Sequence, residues 1–349
     1  MNIFSKKMFS VGLVLVVLFL FIFAKTNLSK KKVPVSLPKV IVGYNIQSLD
    51  TIPLMIAYQK GFFKDQGIEV QLVQVSGSEG AVALSAGKID IVITGSPRLF
   101  GAIEKGVSVK MLSPMSNTNT ELFVRPNSGI KKFKDLEGKK VSYGVSGGNK
   151  ELFLSYLFNK EGVNPKKVKL IDVDNTYLPV ALMEKKAVDV IMVTDANYVD
   201  QANKLGAIVM PEWKDKNYQK LSTGLVVASN TNFLNNNEEN VRRFFKAIIE
   251  GNKYLKSNLN DSTIIATKFM KDNTNGAMDI NPINLQTLIT DGRVSYVLWE
   301  DTSTVVNMAK ISFELGKVGK LLTENDLYDF RFKEMLESAE NEIYGTKTK

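Results

Sequence analysis

The sequence predicts an α/β protein of two lobes, each built on a mixed, mainly parallel sheet flanked by helices. Short runs rich in Val and Ile alternate with segments of helical periodicity from Lys39 onward, as expected for βαβ units. Runs such as Ile89–Ile93 and Val188–Val193 are almost wholly apolar, which is typical of strands covered on both faces. Stretches rich in Ser, Thr and Asn near Asn117–Glu121 and Ser222–Asn230 suit two hinge crossings between the lobes.

The N-terminal segment, residues 1–38, is predicted to direct export and to end in a linker. Two lysines precede an uncharged stretch of 17 residues, Met8–Ala24, which is the pattern of an export signal. As a helix this stretch would span about 25 Å, near the lower limit for crossing a bilayer. Ile22 fits poorly at the −3 position of a cleavage site after Ala24, so a cleaved signal and an uncleaved membrane anchor both stay open. Either one predicts an extracytoplasmic location.

The first lobe is predicted to span residues 39–116 and, after the chain returns, residues 225–345. Its first strands are predicted at Val40–Tyr44, Ile68–Val75, Ile89–Thr94 and Val107–Ser113. Helices between them are predicted at Thr51–Phe63, Glu79–Ala86 and Pro97–Glu104. After the return we predict a strand at Gly224–Ala228 and helices beginning near Asn237 and at Ile264–Met270, Ile283–Ile289, Val305–Phe313 and Leu327–Ala339.

The second lobe is predicted to span residues 117–224. Its strands are predicted at Leu122–Arg125, Lys140–Val145, Val168–Val173, Val188–Thr194 and Gly206–Met210. Its helices are predicted at Lys150–Lys160 and Pro179–Lys186.

Composition excludes most catalytic and metal sites. The 349 residues are 44% hydrophobic and 23% charged, which is an ordinary globular balance. The chain has no cysteine and no histidine. Thiolate metal sites, most zinc sites and the Ser-His-Asp and Cys-His arrangements are therefore impossible. We predict no catalytic residue, no metal, no cofactor and no enzymatic activity.

The basic charge lies at the N-terminus. Seven of the 45 basic residues precede residue 40, where no Asp or Glu occurs, and 38 basic residues then remain against 36 acidic ones. A nucleic-acid-binding protein normally carries a basic face. A remaining net charge of +2 gives no such face, so we predict no nucleic-acid partner.

Five motifs, in order, resemble one family. Gly61-Phe62-Phe63 with Gly67-Ile68-Glu69-Val70 resembles the "GFF…GI.V" opening of extracytoplasmic solute-binding proteins of ABC importers. Within these, the resemblance is to the nitrate, sulfonate, taurine and thiamine-pyrimidine precursor group, and it covers residues 40–255. The other matching segments are Ala83–Asp90, Thr94–Pro97 with Gly106, Lys134–Val141, and Ala181–Val190, in which Lys186 replaces the usual Gly.

This resemblance implies a type II periplasmic-binding-protein-like fold that closes on a small-molecule solute. It also implies an ABC permease with its ATPase as partner, and we expect a monomer held at the membrane by its N-terminal segment. The sequence departs from the family at Thr194-Asp195-Ala196, where Trp-x-Pro often stands. The lipoprotein Cys is missing, and so are the Cys cluster and the His of the related pyrimidine-synthesising enzymes.

Candidate ligand-binding residues follow the carboxyl ends of the strands, because ligands bind there in open α/β sheets. In the first lobe these are Tyr44, Asn45, Gln47, Ser48, Ser78, Glu79, Thr94, Gly95 and Ser96. In the first crossing and the second lobe they are Asn117, Ser146, Gly147, Gly148, Asn149, Thr194 and Asp195. Trp299 is added as a stacking aromatic, with Tyr143 and Tyr198 as further rings. Ser78, Ser96 and Asn149 are equally explained as N-caps.

The charge of the candidates bears on the kind of ligand. Glu79 and Asp195 begin helices, where the helix dipole stabilises a carboxylate whether or not a ligand is present. If both face the cleft, they repel a bare anion such as nitrate. We therefore expect a polar, amine-bearing, zwitterionic or planar solute of the sulfonate, taurine-like or thiamine-pyrimidine precursor class. Gly144-x-x-Gly147-Gly148 lacks the spacing of a dinucleotide fingerprint.

Two other functions stay open. An enzyme on the same fold that acts on a pyrimidine precursor would use the carboxylates of Asp50, Glu79 or Asp195. A membrane-tethered sensor would bind a ligand and report closure to a partner protein instead of a permease.

Overall fold

The computed structural model describes residues 36–75, 79–118, 120–173, 178–193, 196–216, 218, 224–292, 294–299 and 302–345. By its contacts the chain divides after Leu37, and a compact unit begins at Pro38. The predicted export segment lies outside the described residues. Within the described ranges, no helix is long and apolar enough to cross a membrane.

The strands of the described ranges are β1 Lys39–Tyr44, β2 Glu69–Gln74, β3 Ile91–Thr94, β4 Val109–Pro114, β5 Ser116–Thr118, β6 Glu121–Val124, β7 Lys140–Gly144, β8 Lys169–Asp172, β9 Val190–Val193, β10 Ile208–Val209, β11 Val226–Asn230 and β12 Val294–Tyr296. All of these strands except β5 and β12 lie close to positions predicted from the sequence.

The helices alternate with the strands up to residue 215 and dominate afterwards. They are α1 Ile52–Lys60, α2 Phe62–Asp65, α3 Glu79–Ser85, α4 Pro97–Glu104, α5 Asn149–Lys160, α6 Leu178–Glu184, α7 Ala196–Lys204, α8 Pro211–Asp215, α9 Thr231–Asn236, α10 Glu238–Ser257, α11 Leu259–Asn273, α12 Pro282–Thr290, α13 Ser303–Glu314, α14 Glu324–Leu327 and α15 Lys333–Tyr344. Single 3₁₀ turns lie at Leu49–Thr51, Phe133–Leu136 and Pro165–Lys167.

Two five-stranded sheets organise these elements. The first sheet has the order β2-β1-β3-β11-β4 and the second the order β10-β6-β9-β7-β8. In the first sheet only β11 runs against its neighbours, and in the second only β6 does so. Each opposing strand is the one that enters its sheet directly after a predicted crossing. The predicted α/β class with two mixed, mainly parallel sheets is confirmed.

Three chain segments lie side by side where the crossings were predicted. β5 pairs antiparallel with β12, and the Met115 amide donates a 2.8 Å hydrogen bond to the Leu225 carbonyl oxygen. A Cβ on Gly224 would lie 1.9 Å from the Ser116 carbonyl oxygen, so only glycine fits this close approach. The sequence did not predict β5 or β12, because a three-residue strand shows no periodicity.

Apolar side chains cover both faces of each sheet. On one face of the first sheet, helices α1, α10, α11 and α15 contribute residues such as Leu54, Phe244 and Leu336. On the other face, α3, α4 and α13 contribute Leu84, Leu99, Val305 and Met308. The second sheet is covered on one face by Phe133, Phe153 and Trp213 and on the other by Val180, Met183 and Val199.

Two predicted helices are each divided in the structure. The Thr51–Phe63 prediction becomes α1 and α2, because Gly61 adopts a left-handed conformation with φ of 81° between them. The Leu327–Ala339 prediction becomes α14 and α15, because Tyr328 forms a parallel β-bridge with Met111 of β4. Helices α7, α8 and α9 were not predicted.

Candidate functional site

The loop between β3 and α4 places three predicted residues, Thr94, Gly95 and Ser96, at the carboxyl end of a buried strand. All three are buried, and Ser96 takes the N-cap position of α4 without making a side-chain cap. The Ser96 side chain is fully enclosed, and its hydroxyl has no hydrogen-bond partner among the described residues. A buried hydroxyl at a helix start, beside backbone N–H groups, is suited to an anionic group.

Arg98, which the sequence analysis did not single out, lies in the first turn of α4. Its Nη1 is 3.5 Å from the Thr94 hydroxyl oxygen, which accepts a weak hydrogen bond. A Cβ placed on Gly148 would lie 2.9 Å from Arg98 Nη2. The guanidinium of a helix on the first sheet therefore reaches the glycine loop that follows β7 of the second sheet.

Asn149 brings a third part of the chain to the same place. Its Nδ2 donates a 2.9 Å hydrogen bond to the carbonyl oxygen of Gly224, at the return crossing. A Cβ placed on Gly95 would lie 2.9 Å from Asn149 Oδ1. The predicted residues Thr94, Gly95, Ser96, Gly147, Gly148 and Asn149 are therefore neighbours in space, although they come from both sheets.

Two carboxylates hold the glycine loop, residues 146–148. Asp172, at the end of β8, accepts a 3.2 Å hydrogen bond from the Ser146 amide. Glu151, in the first turn of α5, accepts hydrogen bonds from the Gly147 amide at 2.6 Å and the Ser146 hydroxyl at 3.0 Å. Its other oxygen is 2.9 Å from the ammonium of Lys317, which follows α13. Burial raises the pKa of Glu151, but the hydrogen bonds from Lys317 and Gly147 outweigh burial and leave the pKa below its ordinary value.

The loop after β1 satisfies its own polar groups. Asn45 Oδ1 accepts from the Gln47 amide at 2.9 Å, and the Ser48 hydroxyl donates to Asp50 at 2.7 Å. Ser48 also caps the 3₁₀ turn that follows, at 3.4 Å from the Asp50 amide. The predicted side chains of Asn45 and Ser48 therefore have structural roles in a turn. Gln47 contributes its backbone amide, and ligand contact by its side chain stays a prediction.

The predicted aromatic residues lie in cores. Tyr44 is 2% exposed in the first-sheet core, and burial, followed by the nearby Tyr58, raises the pKa of Tyr44 to about 12. Trp299 is buried in the same core, where its ring packs edge-on against Phe330 at 6.1 Å. Tyr143 and Tyr198 are buried in the two cores of the second sheet. Core packing accounts for these positions, and ligand stacking by any of them stays a prediction.

The remaining predicted residues are only partly described. Ser78, Thr194 and Asp195 lie outside the described residues, and for Asn117 the structure describes the β5 backbone and its pairing with Ser295. Glu79 is exposed at the start of α3, a helix that packs beside α4. Across the described ranges, no cluster of three or more acidic side chains is placed to hold a metal ion.

One feature of the sequence could have identified Arg98 as a candidate binding residue: arginine is rare in this chain. The chain has six arginines among 45 basic residues, so its cationic surface is built almost entirely from lysine. Arginine is the residue suited to bidentate contact with planar or tetrahedral anions. An arginine in the first turn of a helix that follows a buried strand is therefore unusual in this chain and indicates a contact that lysine would not make as well. Glu151 and Lys317 gave no such signal, because their pairing depends on the tertiary structure.

Comparison with known proteins gives the family and the fold. A family model described as NMT1/THI5 like matches residues 48–260. A putative thiamine biosynthesis protein of Haemophilus influenzae is 31% identical over 132 residues, or 37% of this chain and 42% of that protein. A 4-amino-5-hydroxymethyl-2-methylpyrimidine phosphate synthase of Schizosaccharomyces pombe is 28% identical over 116 residues, or 33% of each chain. The aligned part of this chain thus spans less than half of either relative.

Among solved structures, the periplasmic aliphatic sulphonate binding protein SsuA of Escherichia coli superposes with a TM-score of 0.66. The superposition covers 84% of this chain and 92% of that protein, at 17% sequence identity. At this identity the likeness concerns the fold. The predicted periplasmic-binding-protein fold is confirmed.

Proposed function

Because this chain belongs to the NMT1/THI5-like family, we propose that it is the extracytoplasmic solute-binding component of an ABC importer. In this proposal residues 39–116 and 225–345 form one lobe, residues 117–224 form the other, and the solute is held between them as they close. The N-terminal segment exports the chain or anchors it, and a permease with its ATPase receives the solute. One observation carries the proposal: polar and charged groups from both sheets converge at Arg98.

The chemistry at Arg98 favours a solute with an acidic head. A guanidinium, a fully buried hydroxyl on Ser96 and the start of α4 together offer several donors to oxygen atoms. This differs from the sequence-based preference for a cationic group, which rested on Glu79 and Asp195. In this proposal a taurine-like aminosulfonate places its sulfonate at Arg98 and its amine toward an acidic side chain such as Glu79.

The sulfonate-binding solved structure supports this solute class by its fold, whereas the fission-yeast relative favours a pyrimidine precursor. A catalytic role in pyrimidine synthesis has less support, because the chain lacks His and Cys for acid–base or nucleophilic chemistry. Capture without turnover is therefore the function that the residues support best.

Calorimetric titration of the full chain tests the proposal. The panel comprises taurine, an unsubstituted alkanesulfonate, nitrate and 4-amino-5-hydroxymethyl-2-methylpyrimidine. We expect the aminosulfonate to bind most tightly and Arg98→Gln to weaken it by roughly 10- to 100-fold, since the variant loses a charge-assisted hydrogen bond. Arg242→Gln is the matched control, because Arg242 pairs with Glu238 on the surface of α10.

Three results would contradict the proposal. They are failure of every panel member to bind, tightest binding of the pyrimidine with no effect of Arg98→Gln, and a mass change in the recovered solute. The last result would favour the enzyme.

A further inference from the structure

Glu151 joins two parts of the molecule through different oxygen atoms. Oε1 pairs with Lys317, which belongs to the segment after α13, whereas Oε2 accepts from Gly147 and Ser146 in the glycine loop. The Glu151 side chain is 20% exposed and the Lys317 side chain 38% exposed. The carboxylate is therefore enclosed enough for its partners to define its position.

The segment that carries Lys317 is also attached to α4. The Gly319 amide donates a 2.5 Å hydrogen bond to Glu104 Oε1, at the C-terminal end of that helix. Residues 317–319 thus contact the end of α4 on one side and the start of α5 on the other. These are the helices that begin at the convergence site, with Arg98 on α4 and Asn149 on α5.

An apolar contact accompanies the ion pair. Leu152, the residue after Glu151, is 3% exposed and belongs to the buried cluster of Leu99 and Val305. Leu152 follows the second-sheet strand β7, whereas Leu99 lies on α4 and Val305 on α13, both packed on the first sheet. The burial of Leu152 and the Glu151–Lys317 pair therefore both join elements of the first sheet to the start of α5, which follows a strand of the second sheet.

We propose that Glu151 is a positioning residue that links closure of the two halves to the shape of the glycine loop. With the halves closed, Lys317 orients the carboxylate, the carboxylate fixes the Gly147 amide, and Gly148 lies against Arg98. With the halves apart, Lys317 is lost and the carboxylate holds the loop less tightly. The inference rests on the proposed function only in taking the closed arrangement as the one that holds solute.

The test uses the absence of cysteine from the chain. Spin labels on Lys64→Cys in α2 and Lys166→Cys near β8, both at exposed positions, report the distance between the halves by pulsed electron resonance. The hydrogen-exchange rate of the Gly147 amide reports how firmly Glu151 holds the glycine loop. Both are measured in the absence of solute, so they do not depend on which solute binds.

Lys317→Met is expected to raise the ratio of open to closed protein by roughly two- to fivefold, the effect of losing one partly exposed ion pair. It is also expected to speed exchange at Gly147, although Lys317 does not touch that residue. Glu151→Gln keeps an acceptor for the Gly147 amide but loses the charge. It is therefore expected to raise the ratio of open to closed protein as much as Lys317→Met does. Lys310→Met is the control, an exposed lysine on α13 that pairs with Glu314.

The exchanged pair, Glu151→Lys with Lys317→Glu, separates the ion pair of residue 151 with residue 317 from its hydrogen bond with the Gly147 amide. It restores the closed distance because opposite charges face each other again, but leaves Gly147 unprotected because an ammonium accepts no hydrogen bond. The inference is overturned if Lys317→Met matches Lys310→Met in Gly147 exchange, or if the exchanged pair stays as open as the single variants. If no solute of the panel binds but the distances and the Gly147 exchange behave as expected, the proposed function is wrong. The link between Glu151, closure and the glycine loop then still holds.

Discussion

At the scale of the residue, Gly224 determines how closely the two crossings approach. A side chain there would meet the Ser116 carbonyl oxygen at 1.9 Å and its hydroxyl at 2.4 Å. The same hydroxyl accepts a 3.3 Å hydrogen bond from the Leu225 amide, so backbone and side chain of Ser116 are both held in place. The obstructing atom belongs to a backbone and cannot rotate away.

Gly224→Ala is expected to lower the free energy of unfolding by about 1–3 kcal/mol, because the crossings must separate to admit the methyl group. Gly101→Ala is the control. Gly101 lies inside α4 with nothing within 4 Å of the new Cβ, so alanine there is expected to raise stability by about 0.5–1 kcal/mol. Urea denaturation of both variants measures the difference. Equal midpoints for the two would contradict the account of Gly224.

At the scale of the element, two 3₁₀ turns of the second-sheet half are joined by one carboxylate. Glu137 accepts hydrogen bonds from the Lys134 ammonium at 2.7 Å and the Asn164 amide at 3.0 Å, and Lys167 lies at 3.3 Å. These partners, with Lys134 the strongest, lower the pKa of Glu137 from 4.5 to about 2. A carboxyl whose pKa is lower in the folded state stabilises the fold above its ordinary pKa and loses this effect as the pH falls.

Glu137→Gln is therefore expected to be less stable than the parent chain at neutral pH. The difference should shrink as the pH falls below about 4.5 and should be nearly absent close to pH 2. Guanidinium denaturation across this pH range measures it, with Glu184→Gln, at an exposed position at the end of α6, as control. A difference that is constant with pH would mean that the ionised carboxylate does not stabilise these turns.

The same scale shows how far sequence reasoning reaches. Apolar runs placed strands such as β3 and β9 within two residues, because burial on both faces leaves a continuous signal. Helix α4 was predicted with its observed ends, because Pro97 marks its start. At the candidate site, the Thr94–Ser96 and Ser146–Asn149 loops were predicted from strand ends. Arg98, Glu151 and Lys317 were missed, because their contacts join residues far apart in the chain.

At the scale of the whole molecule, the two tryptophans report on different halves. Trp213 is fully buried in a second-sheet core, with its ring edge-on to Phe153 at 5.4 Å, and Trp299 lies in a first-sheet core. Trp299→Phe and Trp213→Phe therefore give chains whose fluorescence follows the unfolding of one half each.

A solute that touches both halves stabilises only the arrangement in which both are folded. Solute at 100 times its Kd is therefore expected to raise the free energy of unfolding by about 2.7 kcal/mol in both single-tryptophan chains. The comparison uses the shift within each chain, so any loss of stability from the Phe replacement cancels. A shift seen by one tryptophan alone would mean that the solute binds a single half.

The position of β11 between β3 and β4 also governs the order in which the molecule can be assembled. Residues 39–114 supply four of the five strands of the first sheet. However, β3 and β4 do not pair with each other, because β11, residues 226–230, lies between them. Before residues 226–230 have been synthesised, the edges of β3 and β4 that pair with β11 have no partner strand. Completion of the first sheet therefore depends on pairing between residues more than a hundred positions apart, such as Thr94 with Val226 and Pro114 with Val226, and such long-range pairing makes folding slow.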